Sequence, residues 1–248
     1  MSDSTEHFER LMAGGVHQQR NQAHQAALNQ RMAAYGTAPA DSVEQGRAAR
    51  DISASYGLLG NIDSAGEWAL RAYDIHNDWV NRDPLNSTTW HLRRERAMSG
   101  LYVAINGYHR YRQGTSPQQT LVEDMNMFDL AEQTLADIRV ARGMAPRWLD
   151  RRIDQYDINA LRRVSVFRSL AGNRAAGLRT GLLAAVVAPL SESPYLATST
   201  PELAAAARTR TKIRAFGGAC GAIVVSVLAS PNRSVRRRAA ELIADRII

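Results

Sequence analysis

The stretch that decides the fold is Ile52 to Ala72, ISASYGLLGNIDSAGEWALRA. It reads as a helix, a Gly60-Asn61 turn and a second helix. Asp41 or Ser42 caps the first, which runs to Leu59 with Glu44 placed as in a capping box; Asp63 or Ser64 starts the second, which reaches Asn81. Small residues such as Ser53, Ala65 and Ala72 let two antiparallel helices approach closely, while Tyr56 and Trp68 fill the gap between them.

Outward from this hairpin the apolar periodicity is helical almost throughout. No stretch shows the apolar/polar alternation with β-branched enrichment that marks a strand. Toward the N-terminus a polar helix is expected over about Ser4 to Ala34. Its narrow apolar face is Phe8, Leu11, Met12, Val16, Ala23, Ala27, Leu28 and Met32, weakened at Gly14-Gly15 and stopped by Gly36 to Pro39. Toward the C-terminus, helices are expected from Asp83-Pro84 to about Arg112, from Pro117 to Arg142 and from Arg147 to Ala171. Three more follow, from Arg174 to about Ala188, from Thr200 or Pro201 to Leu228, and from beyond Ser230-Pro231 to Ile248. The expectation is an all-α chain of about nine helices, arranged as antiparallel pairs. Its regions are an N-terminal arm over 1–38, a body of helical hairpins over 39–190, and basic C-terminal helices over 191–248.

The run Ile52-Ser53-x-x-Tyr56-x-x-x-Gly60-x-x-Asp63-x-Ala65-x-x-x-Ala69-x-x-Ala72 resembles a tetratricopeptide repeat: a large-small pair, an aromatic, a turn glycine and recurring small residues. It departs from that pattern at Asn77, where the family has proline. A weaker echo is Val164-Ser165, Gly172-Asn173, Gly177 and Ala184, displaced by 112 residues and not by a multiple of 34. The resemblance implies a right-handed superhelix, with an irregular α-bundle as the alternative. It also implies a scaffold that presents a groove to a peptide or protein, with no chemistry of its own.

Charge divides unevenly along the chain. Residues 1–157 carry 17 Arg against 20 acidic residues, and residues 158–248 carry 14 basic against four acidic, so −3 and +10 sum to +7. Such asymmetry points to an anionic partner at the basic end. The last helix crowds Arg233, Arg236, Arg237 and Arg238 into its first turns, against the helix dipole, and sets Val235, Ala239, Leu242 and Ile243 on an apolar face. Two readings stay open for these arginines: a solvated face paired with Glu241 and Asp245, or phosphate contact with nucleic acid or an anionic membrane surface. The apolar runs Gly181 to Leu190 and Phe216 to Ala229 are too short to span a bilayer and read as core helices buried on most sides, with Cys220 as a small buried hydrophobe. The polar opening residues carry no secretory h-region, so a cytoplasmic protein is expected.

None of the six histidines stands at the spacing of a helical zinc site. No phosphate loop, zinc finger or nucleophile constellation occurs, so no catalytic residue, metal site or cofactor is assigned. The candidate groove lining is Trp90, Arg93, Arg94, Tyr102 and Arg110 on one long helix, suited to an acidic side chain or carboxylate. The leading expectation is a non-catalytic scaffold or adaptor. The alternative is a nucleic-acid or anionic-surface binder acting through Arg233, Arg236, Arg237 and Arg238.

Overall fold

A computed structural model describes residues 3–82, 90–144, 155–188, 201–229 and 234–248. Among these the chain is all-α, with ten helices and one isolated bridge, Val122 to Met125, outside any strand. The helices are α1 (Asp3–Arg20), α2 (His24–Thr37), α3 (Val43–Leu58), α4 (Ile62–Arg82), α5 (Trp90–Arg112), α6 (Met127–Met144), α7 (Gln155–Leu170), α8 (Arg174–Val187), α9 (Pro201–Leu228) and α10 (Ser234–Ala244). The tenth arises because the expected N-terminal helix is two. The chain turns at Asn21-Gln22, Gln22 taking a positive φ of 61°, and α1 folds back on α2. Gly14 and Gly15, which looked like weak points, lie at that crossing: an added Cβ would meet Gln30 and Arg31 of α2 at 3.3 and 3.1 Å.

The expected helix from Pro117 begins ten residues late, at Met127. Glu123 and Asp124 adopt left-handed φ values of 46° and 62°, closing a turn in which Leu121 N–H donates to the Met125 carbonyl at 2.8 Å. Asn126 then caps α6, its Oδ1 accepting from Phe128 N–H at 2.8 Å. The starts expected for the helices at Asp83 and Arg147 lie outside the described residues.

The chain forms two compact units, 1–133 and 134–248, divided within α6. Summed over the sequence, the first carries 12 Arg against 16 acidic residues and the second 19 basic against eight, −4 and +11. In the first unit sequential helices pack as neighbours, α1 on α2, α2 on α3, α3 on α4 and α4 on α5. In the second, α7, α8 and α9 each pack on the other two and α10 packs on α9.

Each unit is organised by one hairpin of the same construction. Gly60 and Gly172 sit at φ 79° and 94°, where a Cβ is disfavoured. Asn61 and Asn173 follow, and their side-chain oxygens accept from Ser64 and Ala176 N–H at 3.1 and 3.2 Å to cap α4 and α8. Ser53 Oγ donates to the Ala65 carbonyl and Ser165 Oγ to the Gly177 carbonyl, both at 2.7 Å, so each hydroxyl spans the same twelve residues across its hairpin. Ala65, Ala69 and Ala72 are 1, 0 and 0% exposed, the consequence of a small-residue stripe pressed against α3. Ser42 caps α3 as expected, but the residue that reaches back is Gln45 and not Glu44: Ser42 Oγ accepts from Gln45 N–H, and Gln45 Oε1 from Asp41 N–H at 2.9 Å.

Candidate functional site

The Ala65-Ala69-Ala72 stripe continues at the next helical step to His76, which the pattern therefore carries into the interior, where it is fully buried. Gly46 on α3 provides the space; a Cβ there would lie 2.5 Å from His76 Nε2. The other ring nitrogen, Nδ1, pairs with Ser99 Oγ of α5 at 2.8 Å. Burial depresses the imidazole to a pKa of about 4, opposed in part by the carboxylate of Glu95. Glu95 itself pairs with the buried Arg50 of α3. Burial pushes that carboxyl up, yet Arg50, then His76 and Arg47, outweigh it and hold Glu95 below its ordinary value. One residue on in each helix, Arg96 donates to Asn77 Oδ1 at 3.0 Å and Asn77 Nδ2 to Glu123 Oε1 at 2.9 Å. At neutral pH this network holds an ionised Glu95 and a neutral His76, and neither titrates near 7. Its arrangement suits the fixing of α3, α4 and α5 relative to one another, not proton transfer.

Two clefts flank the C-terminal half of α4. One, of about 530 Å³, is lined by Ser42, Val43, Glu44, Arg47, Trp79, His91 and Glu95, with Trp79 Nε1 donating to the Asp41 carbonyl at 2.7 Å. The other, of about 480 Å³, has Tyr35, Leu70 and Ile75 as apolar lining and four carboxylates, Asp41, Glu67, Asp74 and Asp78, alongside Arg71 and Arg82. Tyr35 is held edge-on to Trp68, ring centroids 4.9 Å apart. Trp68 thus packs toward α2, where the sequence had placed it in the gap between α3 and α4. Asp74 is pushed up by burial first, then by the charges of Asp78 and Glu123. The field in this cleft favours a cation.

The sequence-derived groove residues all lie on α5, where twenty residues from Trp90 to Arg110 span about 30 Å. Trp90, Arg93 and Arg94 gather at its N-terminal end, all partly buried; Tyr102 is partly buried halfway along. Arg110 approaches Gly66 and reaches Asp63 of α4 at 3.9 Å. The helix therefore groups the first three and not the other two. Of the C-terminal arginines, Arg233 lies outside the described residues. Arg236, Arg237 and Arg238 are exposed on α10, Arg237 paired to Glu241 at 3.2 Å. The inward side of α10 is Ala240, Ala244 and the following Ile247, each buried; Leu242, expected on the apolar face, is 56% exposed. Among the described residues no group of His, Cys, Asp or Glu is placed to hold a metal ion, and no helix is long and apolar enough to cross a membrane.

The acidic cleft was not read from the sequence, although Glu67, Asp74 and Asp78 stand at i, i+7 and i+11, one face of α4. No family model, no curated protein and no solved structure matches the chain.

Proposed function

We propose that the chain is a non-catalytic helical scaffold that binds a protein or peptide partner, and that the acidic cleft beside α4 takes a basic segment of that partner. The observation that carries this reading is the cleft's composition. An aliphatic stem of lysine or arginine lies against Leu70 and Ile75 while its charged head meets Asp74 and Asp78. The repeated hairpin, with its Ser-to-carbonyl lock in both units, supports a tetratricopeptide-like scaffold in which helix pairs build a surface for peptides. The test is fluorescence anisotropy with short peptides matched in length, one Lys/Arg-rich, one Asp/Glu-rich and one neutral. The basic peptide is expected to bind, more weakly as salt rises, and Asp74→Lys with Asp78→Lys to weaken it about tenfold or more. Equal binding of all three, or indifference to the two substitutions, overturns the reading.

A second reading, binding of nucleic acid or an anionic surface through α10, draws on the net charge of +11 on residues 134–248 and on exposed Arg236 and Arg238. It predicts steeply salt-dependent oligonucleotide or vesicle binding lost in Arg236→Glu with Arg238→Glu.

A further inference from the structure

The apolar run of α9 is buried on the sides that meet α7, α8 and α10, but it leaves one side open. Ala215, Ala219, Ala222 and Val225 face the unit's interior, but Ile213, Phe216, Val224 and Val227 are 67, 49, 42 and 55% exposed, and Cys220 is partly exposed among them. At 3.6 residues per turn these five positions fall within an arc of about 80°, with no charged residue in it. Arg214 lies outside the arc, toward Gly221, where Ile247 from beyond α10 packs. On the neighbouring α8, Leu182 and Val186 are 48 and 72% exposed. Gly177 and Gly181 lie on one face of α8, Gly177 against Ser165 and Ser169 of α7 and Gly181 against both Ser165 of α7 and Ile223 of α9, while α9 turns Gly218 to Arg162 of α7. Leu182 and Val186 of α8 therefore turn away from α7, as the α9 stripe does.

The order of residues along the stripe suits a second copy of the same helix. Ile213 and Val227 are equidistant from Cys220, and so are Phe216 and Val224. A stripe with that symmetry is complementary to itself when a second copy of the helix runs antiparallel, because a two-fold axis at Cys220 sets Ile213 opposite Val227, Phe216 opposite Val224 and Cys220 opposite Cys220. We propose that this face is a homodimer interface, α9 packing antiparallel on α9 of a second copy about an axis at Cys220, with α8 of each copy flanking the seam.

Charge permits the pairing despite the unit's net +11. The basic run Arg208, Arg210, Lys212 and Arg214 lies at one end of the stripe, so the axis sends the two copies of it to opposite ends. The two Lys212 backbone positions are separated by about 24 Å along the helices, roughly three Debye lengths at physiological salt. At roughly 200 Å² for a large side chain, the exposed fractions of Leu182, Val186, Ile213, Phe216, Val224 and Val227 leave several hundred Å² of apolar surface per copy, on the order of the about 800 Å² per partner of a standard interface. Helix axes about 8–10 Å apart bring two facing Cα atoms within about 6 Å, inside the range a disulfide bridges.

The experiment uses the full chain under reducing conditions. Sedimentation equilibrium at tens of micromolar is expected to show a dimer, and Phe216→Glu or Val224→Glu, both at exposed positions, to raise its dissociation constant at least tenfold with the helical circular dichroism retained. The register is read by cysteine pairs in a Cys220→Ser background. With copper(II)-phenanthroline and dissolved oxygen taking up the two protons and two electrons of each thiol pair, Ile213→Cys and Val227→Cys chains are expected to cross-link when mixed and not when oxidised separately. A monomer throughout, or Ile213→Cys chains that cross-link to themselves, overturns the proposal. So does a monomer that sediments with phosphatidylserine vesicles and loses that binding in Phe216→Glu, which assigns the stripe to a lipid surface.

Discussion

Acidification is expected to unfold the first unit through one buried side chain. His76 is neutral in the folded chain, with a pKa of about 4, against an ordinary value of 6.5. The folded pKa is depressed, so the unfolded state binds the extra proton as pH falls. The stability that the neutral ring contributes is complete above about 6.5 and is lost progressively as pH drops to about 4. The difference between 6.5 and about 4 corresponds to about 3 kcal/mol over the whole window, of which about 2 kcal/mol is gone by pH 5. Against the roughly 5–15 kcal/mol of a typical domain this displaces the unfolding midpoint measurably. Other groups titrate nearby: Glu95, held low chiefly by Arg50 against the effect of its burial, acts in the same direction but below its ordinary range, and Asp74, raised by burial, acts in the opposite one. Subtracting a His76→Gln variant removes the Asp74 contribution and the part of Glu95's that does not depend on His76. Urea unfolding followed by circular dichroism, from pH 7.5 to 4.5, is expected to show the steep loss in the natural chain and a flatter profile in the variant, whose stability is lower at pH 7 but changes less. The same pH dependence in His76→Gln would refute the assignment.

The two equivalent arginines 112 residues apart are expected to respond in opposite ways. Arg50→Met leaves Glu95, 24% exposed at its side chain, without its partner and costs about 2–3 kcal/mol, less than a fully buried pair. Arg162 has a buried Nε without a hydrogen bond and no carboxylate partner among the described residues, and burial, then Arg163, lowers it to about 10; Arg162→Met is expected to be neutral or to stabilise by about 1 kcal/mol in the same urea titration. Gly177→Ala forces a Cβ to 2.1 Å from Ser169 Oγ and 2.9 Å from the Ser165 carbonyl, so thermal unfolding is expected to report a loss of about 2–3 kcal/mol, although the matching position of the first hairpin is already Ala65.

Much of the secondary structure was legible in the sequence because it is written in local chemistry. Gly60-Asn61 and Gly172-Asn173 need only a residue that accepts positive φ and a capping side chain, and the small residues that follow mark a close helix approach wherever they recur. Where a break depends on weaker signals the reading slipped: nothing between His17 and Ala27 announces the turn at Gln22, and Glu123 and Asp124 pass for ordinary helix until their φ values are known. The candidate sites were less legible still. Glu67, Asp74 and Asp78 look like a solvated helix face until the fold brings Tyr35 and Asp41 beside them, whereas the distance between Trp90 and Arg110 already follows from the single long helix expected there. The apolar run of α9 shows the limit most plainly. Periodicity states that a residue is apolar and which side of a helix it shares, and so determines by itself that Ile213, Phe216, Cys220, Val224 and Val227 form a stripe. Whether that stripe is core or surface depends on how many helices surround α9, and contacts between segments distant in sequence leave no local trace. Only the tertiary structure decided that α7, α8 and α10 cover three sides and leave the fourth open.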